Sequence, residues 1–227
     1  MGKWSMRDIN VNAKVLANYL LKEPSTTPSL AVSVTADPSC PFARTCQAAN
    51  LLSRVLRHVH EDSPDPVFHY REAIQIHLTL QAFSSGISHE LTSCHDVDSM
   101  THLFTAISIS YSAELTLYDT YTCSEGDLVG GVGIDEQLQM QGIALSKMKD
   151  TCLSVHRLAE LVSKVIESRG LLNISPLVSD CFYQAARNAI WYSQELVNPD
   201  ETCETIDDIM GTLRLIGRKW ELASKFL

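Results

Sequence analysis

Apolar residues recur every three or four positions along most of the chain, which is the spacing of one face of an α-helix. This periodicity predicts about seven helices, over residues 8–22, 41–60, 67–88, 99–118, 135–168, 176–196 and 201–226. The one β-prone run, residues 30–35, would have no partner strand, and a strand needs neighbours to be stable. The pattern therefore predicts an all-α fold, a single irregular array of helices with no significant sheet.

Breaks in the periodicity suggest how the chain is divided. Residues 23–39 are rich in Pro, Ser and Thr and read as an extended connector, which separates an N-terminal helix from the rest. We expect residues 1–40 to hold that helix and connector, and residues 41–227 to form the helical domain. After a polar span over 84–98, Asp98 or Ser99 is the expected N-cap of the next helix.

The helix that ends near residue 118 is apolar almost all round, which is typical of the central helix of a bundle. The helix over 41–60 is more amphipathic. Its predicted buried face consists of Cys46, Ala49, Leu52, Val55, Leu56 and Val59. The later helix over 176–196 begins with Pro176 behind Ser175, a favourable first-turn arrangement.

Charge and composition exclude several function classes. The net charge is −9 and the 18 basic residues are scattered, whereas a nucleic-acid surface needs clustered Lys and Arg. We therefore expect no direct nucleic-acid binding. No run approaches the ~18 apolar residues of a membrane span, and the N-terminal sequence lacks a signal-peptide core. Seven scattered cysteines fit reduced thiols, so we expect an intracellular protein of the nucleus or cytoplasm.

The chain contains no recognisable metal or cofactor motif. No pair of cysteines has C-x-x-C spacing, and the glycines over 126–133 lack the Lys and Ser or Thr of a phosphate loop. His58, His60, Glu61 and Asp62 superficially resemble a metallohydrolase motif, but the final histidine is missing. Because they lie at a helix end, we expect these histidines to face solvent. We predict neither a metal nor a cofactor.

Polar side chains on otherwise apolar helix faces are the candidate site residues. They are His77, His102, Tyr111, Glu114, Arg187 and Trp191. A buried charge must be paired or must line a wet pocket, because uncompensated burial is costly. Three interpretations stay open. Glu114 pairs with an arginine or histidine and ties helices together, or Tyr111, Glu114, Arg187 and Trp191 surround a ligand cavity. In the third, these polar side chains are simply exposed to solvent. No catalytic residue is identified.

Several stretches resemble the regulatory region that follows the zinc cluster in fungal binuclear zinc-cluster transcription factors. They are residues 41–60 (PFARTCQAANLLSRVLRHVH), 104–125 (FTAISISYSAELTLYDTYTCSE), 175–178 (SPLV), 181–186 (CFYQAA) and 213–223, which contains Arg218-Lys219-Trp220. The resemblance covers roughly residues 40–227. It implies an all-helical regulatory domain, a nuclear setting, and control of transcription by metabolites or partners.

The sequence departs from that family because it has no Cys-x-x-Cys-x6-Cys array and no basic linker. The first hypothesis is therefore a ligand- or partner-responsive regulatory domain that does not bind DNA by itself. The alternative is a stand-alone protein of secondary metabolism, either an enzyme or a small-molecule binder, descended from such a domain. If it is an enzyme, we expect a cofactor-independent acid–base or cyclisation catalyst. A third reading is a pure interaction protein.

These hypotheses differ in the partners they need. The first admits either a small-molecule effector or a protein partner. The second needs a small-molecule substrate or ligand, and predicts a closed apolar cavity that holds convergent polar groups. The third needs a protein partner or a homodimer, and predicts an exposed apolar patch and no cavity.

Overall fold

The computed structural model describes residues 41–61, 63, 65–94, 96–122, 133–171, 174–195 and 199–220. They form the helices α1 (Pro41–His60), α2 (Pro66–Ser93), α3 (Val97–Thr122), α4 (Ile134–Arg169), α5 (Val178–Glu195) and α6 (Pro199–Gly217). Because the described residues contain helices and turns but no strand, the all-α prediction is confirmed. Residues 1–40 lie outside the described residues. This range includes the predicted helix over 8–22, the connector and the β-prone run.

Helix α3 lies at the centre, as its apolar character predicted. It packs against α1, α2, α4 and α5, while α6 packs against α4 and α5. Side chains are buried on every side of α3, and Phe104, Leu115 and Tyr118 are among the largest fully enclosed ones. Its small residues, such as Ala106 and Ala113, allow neighbouring helices to approach closely. The centre of the core is therefore one helix with four neighbours.

Helix α2 is longer than its predicted range of 67–88. It continues to Ser93 because Ile87 and Leu91 keep the helical spacing and are buried. The predicted end at residue 88 was thus five residues too early. At the other end, the Asp65 carboxylate accepts hydrogen bonds from the backbone N–H groups of Val67 and Phe68. Asp65 is an N-cap, followed by a first-turn proline.

The start of α3 also differs from its prediction. The helix begins at Val97, and Asp96 accepts a hydrogen bond from the backbone N–H of Ser99. Asp96 therefore takes the capping position expected for Asp98 or Ser99. In α5 the helix begins at Val178, because Pro176 lies in a preceding turn in which Ser175 Oγ accepts from the N–H of Leu177.

The buried face of α1 is offset by about one residue from the predicted one. The buried residues are Arg44, Ala48, Leu51, Val55 and His58, which follow one another at alternating spacings of four and three. Of the predicted face only Val55 is fully buried, and Cys46 and Leu56 are exposed. The polar residues Arg44 and His58 at the two ends of the stripe concealed it. Arg44 is paired with Glu90 of α2.

Two glycines with positive φ flank α4. Gly133 (φ 97°) precedes its first turn, and Gly170 (φ 79°) ends it, as predicted. Only glycine adopts such backbone angles without strain. No described helix is both long enough and apolar enough to cross a membrane.

Cys46, Cys94, Cys152 and Cys181 are free thiols. Cys46 is exposed and Cys94 is partly buried, while Cys152 and Cys181 lie in the core between α4 and α5. Burial raises the pKa of the Cys152 thiol to about 12 and also raises that of Cys181. Both core thiols are consequently protonated at neutral pH.

Candidate functional site

Four polar side chains from three helices form a hydrogen-bonded chain, which we call the relay. His58 Nδ1 lies 2.8 Å from Glu72 Oε2, and His58 Nε2 lies 2.6 Å from Tyr121 Oη. Tyr121 Oη in turn lies 3.1 Å from His69 Nε2. When His58 is neutral and Glu72 is ionised, one arrangement of protons satisfies all three contacts: His69 donates to Tyr121, Tyr121 donates to His58, and His58 donates to Glu72. A second proton on His58 would reverse the two hydrogen bonds of Tyr121. The relay joins the end of α1, the start of α2 and the last turn of α3.

Burial and ring packing enclose the two middle members of the relay, His58 and Tyr121. His58 is only 4% exposed and Tyr121 is 5% exposed. The rings of His58 and His69 are stacked, with centroids 4.1 Å apart and planes 16° from parallel. Tyr70 packs against Tyr121 at 5.9 Å. Because buried polar networks are costly when incomplete, this one fixes the positions of its members.

Burial and neighbouring charges determine whether Tyr121 and His69 carry a proton at neutral pH. Burial raises the pKa of Tyr121, so its hydroxyl keeps its proton at neutral pH. Burial is the main cause of the lowered pKa of His69, and the charge of Glu72 opposes it only in part. His69 is therefore a neutral imidazole at neutral pH. In the tautomer in which its Nε2 donates to Tyr121, its Nδ1 is left as an acceptor.

The relay borders a surface groove of about 250 Å³ between α1 and α2. The residues that line this groove are Arg54, Arg57, His58, Glu61, Ser63, Phe68, His69 and Glu72. Arg54 and Arg57 lie one turn apart on α1, and among the described residues neither forms an ion pair. Phe68 is 58% exposed. The groove thus combines two available guanidinium groups, an aromatic surface and an oriented imidazole.

Such an arrangement is suited to recognising an anion and to accepting a proton. A base held by a second group, which is itself oriented by a third, is the general design of an activated acid–base site. Here His69 is oriented by Tyr121, Tyr121 by His58, and His58 by Glu72. Two guanidinium groups near that base would bind a carboxylate or phosphate.

Glu114, a predicted site residue, lies in the core on α3 and is 4% exposed. Its Oε2 accepts a hydrogen bond from Thr151 Oγ1 of α4 at 2.9 Å, while its Oε1 has no hydrogen-bond partner among the described residues. Burial raises its pKa to about 7, and the hydroxyls of Ser84 and Thr151 and the charge of Lys147 counteract the rise. The described partner of this carboxyl is thus a threonine, where an arginine or histidine was one expectation.

Tyr111 and His77 lie near Glu114 in the same part of the core. Tyr111 Oη is 3.4 Å from Ser88 Oγ of α2, and burial is the main cause of its raised pKa. His77 Nδ1 is 2.9 Å from Tyr118 Oη, and burial lowers the pKa of this histidine. The charge of Glu114 also raises the pKa of Tyr118, so these groups form one buried polar cluster beside α3.

The other three predicted residues lie elsewhere. His102 is exposed and lines a second, more open groove of about 340 Å³ together with Phe42 and Trp220. Arg187 is half exposed on α5 and donates to Asp119 Oδ2 at 2.7 Å. Trp191 is partly buried one turn further along α5. Neither groove is lined by Glu114 or Tyr111.

One group of side chains has a composition that could hold a metal ion. His156 and Glu160 of α4 and Asp208 of α6 bring a potential ligand atom each to within 4.8 Å of one another. His156 Nε2 lies 2.8 Å from Asp208 Oδ2, and both carboxylates are exposed. An ordinary surface ion pair accounts for this geometry.

Sequence reasoning missed the relay. The expectation that His58 faces solvent was wrong, because the residue continues the buried stripe of Leu51 and Val55 at helical spacing. That spacing was the signal available in the sequence. Nothing local indicated Tyr121 or His69, since they reach His58 from helices 63 and 11 residues away.

No protein-family model, curated protein or solved structure matches this chain. The site is accordingly interpreted from its own geometry.

Proposed function

We propose that this chain is a ligand-responsive regulatory domain, related to the regulatory region of fungal zinc-cluster transcription factors, that does not bind DNA by itself. The groove between α1 and α2 is the effector site in this proposal. The observation that carries it is the relay, in which one buried and two part-buried hydrogen bonds connect groove-lining side chains to the end of the central helix.

The relay favours regulation because of where it ends. Tyr121 lies in the last turn of α3, and α3 contacts four of the other helices. A ligand that engages His69 alters the hydrogen bond to Tyr121, and so acts on the helix around which the domain is packed. An effector shifts a conformational equilibrium only through contacts that differ between the states, and this hydrogen bond is such a contact.

The same relay favours a second candidate, a small-molecule enzyme or binder of secondary metabolism. An imidazole that is neutral, oriented and open to a groove is equipped to remove a proton from a bound substrate. In this alternative the two arginines hold the substrate, and His69 is the base.

The first experiment is a thermal-shift screen of the purified chain against small-molecule extracts of its source organism. We expect at least one fraction to raise Tm, because a ligand that binds only the folded state stabilises it. The rise should be lost in the double variant Arg54→Gln/Arg57→Gln and kept in Arg157→Gln. Arg157 is an exposed arginine of α4 and serves as the matched control.

The outcomes separate the hypotheses. A ligand recovered unchanged by native mass spectrometry supports the regulatory proposal, and one recovered chemically altered supports the enzyme. If no fraction raises Tm and the chain forms a stable dimer, both are wrong and an interaction domain is the better account.

A further inference from the structure

The charges around the groove limit the kind of ligand it accepts. Arg54 and Arg57 point from adjacent turns of one helix, a spacing that places two side chains on the same face. Glu61 and Glu72 lie in the same groove, so its charges balance when both histidines are neutral. One negative charge on a ligand can be paired with the guanidinium groups. A second would be held close to the two carboxylates, which disfavours dianions such as phosphate.

The apolar part of the groove favours a ring. Phe68 exposes 58% of its surface, and the imidazole of His69, stacked on the buried ring of His58, supplies further flat surface. Aromatic rings pack on one another in offset or edge-to-face geometry. An engineered apolar cavity of about 150 Å³ holds benzene, so a groove of about 250 Å³ has room for a substituted ring.

The relay adds a requirement for a hydrogen-bond donor. His69 Nε2 lies 3.1 Å from Tyr121 Oη. In the tautomer in which Nε2 donates to that hydroxyl, the remaining nitrogen can only accept. Among the described residues none donates to His69 Nδ1. A ligand hydroxyl would supply that hydrogen bond, whereas an unsubstituted ring would leave the acceptor unused.

We propose that the groove binds a small aromatic carboxylic acid that carries a ring hydroxyl. The carboxylate pairs with Arg54 and Arg57, the ring packs on Phe68, and the hydroxyl donates to His69 Nδ1. This assignment rests on the proposed function, in that it names the chemical class of the ligand for the same groove.

Isothermal titration with a series of simple probes tests each part of the assignment. The probes are 2-, 3- and 4-hydroxybenzoate, benzoate, benzamide and inorganic phosphate. We expect at least one hydroxybenzoate to bind about tenfold more tightly than benzoate, because its hydroxyl forms one additional hydrogen bond between uncharged groups. Benzamide should bind at least about tenfold more weakly than benzoate because it lacks the charge, and phosphate should bind no more tightly than benzamide.

Variants assign the contacts to residues. Arg54→Gln/Arg57→Gln should abolish the preference for benzoate over benzamide, while Arg157→Gln keeps it. His69→Phe should abolish the preference for the hydroxybenzoate over benzoate while retaining benzoate binding. The retained binding also controls for folding, because a variant that unfolds would lose both ligands.

Three results would overturn the assignment. They are equal binding of benzamide and benzoate, tighter binding of phosphate than of any benzoate, and unchanged selectivity in the arginine double variant. If no hydroxybenzoate binds although an extract fraction still raises Tm in an arginine-dependent way, the ligand class is wrong and the groove keeps its proposed function. If neither effect is seen, the proposed function fails as well.

Discussion

At the scale of single residues, environment decides what a polar side chain does in this protein. Glu114 was predicted from its position on an apolar helix, and it is indeed enclosed, with one hydroxyl bonded to it. His58 has a similar degree of burial but was missed, because a histidine at a helix end usually faces water. The difference lies in its neighbours, Glu72 and Tyr121, which come from other helices and satisfy both ring nitrogens.

Replacing Glu114 by glutamine should remove a pH-dependent loss of folding stability. Because burial raises its pKa from 4.5 to about 7, the folded state keeps a proton that the unfolded state has released between these pH values. The contribution of Glu114 to the free energy of unfolding is most favourable below pH 4.5 and is lost as the pH rises to about 7. At pH 8 we expect Glu114→Gln to be more stable than the wild type by up to about 3 kcal/mol, measured by urea unfolding.

At pH 4.5 the two proteins should unfold at nearly the same urea concentration, since the carboxyl is then neutral. The control is Glu160→Gln, which changes an exposed glutamate of α4. A stability difference between Glu114→Gln and the wild type that does not change with pH would contradict the assignment of a buried, neutral acid.

At the scale of helices, the sequence predicted which segments are helical better than it predicted where each helix ends and which of its faces is buried. Periodicity is an average over many positions, so it identified the described helices, including both ends of α1. Ends depend on single capping contacts, and Asp96 was overlooked because Asp98 and Ser99 are equally good capping residues. The face of α1 was misassigned because two polar residues, Arg44 and His58, are buried in partnership with α2.

The cap of α2 can be tested directly. Asp65 accepts two backbone hydrogen bonds, at 3.0 and 3.2 Å, from N–H groups that have no partner within the helix. We expect Asp65→Ala to lower the free energy of unfolding by about 1 kcal/mol. Asp65→Asn keeps the acceptor oxygen and should lose much less, as measured by the midpoint of urea unfolding. Equal losses in the two variants would mean that the carboxylate charge, not the cap, is what matters.

At the scale of the whole molecule, α3 lies at the centre of the described helices and packs against four of them. The sequence indicated this through the nearly uniform apolar character of α3. It could not indicate the groove, because the groove is made by residues of α1 and α2 whose relative position is set only by packing. Composition predicted a protein without a nucleic-acid surface, and that prediction and the proposed nuclear or cytoplasmic setting still await experiment.

The central position of α3 has a measurable consequence. Amide groups in its middle should exchange with solvent only when the whole domain unfolds, because four neighbouring helices cover them. We expect hydrogen-exchange mass spectrometry to find slower exchange over 103–118 than in α6, which packs on two helices. Exchange in α3 as fast as in α6 would contradict the architecture.

The reactivity of the free thiols can be used to detect unfolding of the core. Cys46 is exposed and should react with an alkylating reagent in the native state, whereas Cys152 and Cys181 are enclosed and protonated at neutral pH. Thiolates are the reactive form, so the two core residues become labelled only when the interior is exposed to the reagent. The rate at which an alkylating reagent labels Cys152 and Cys181 therefore measures how often the core opens. The rate for Cys46 gives the reactivity of the reagent with an exposed thiol in the same sample.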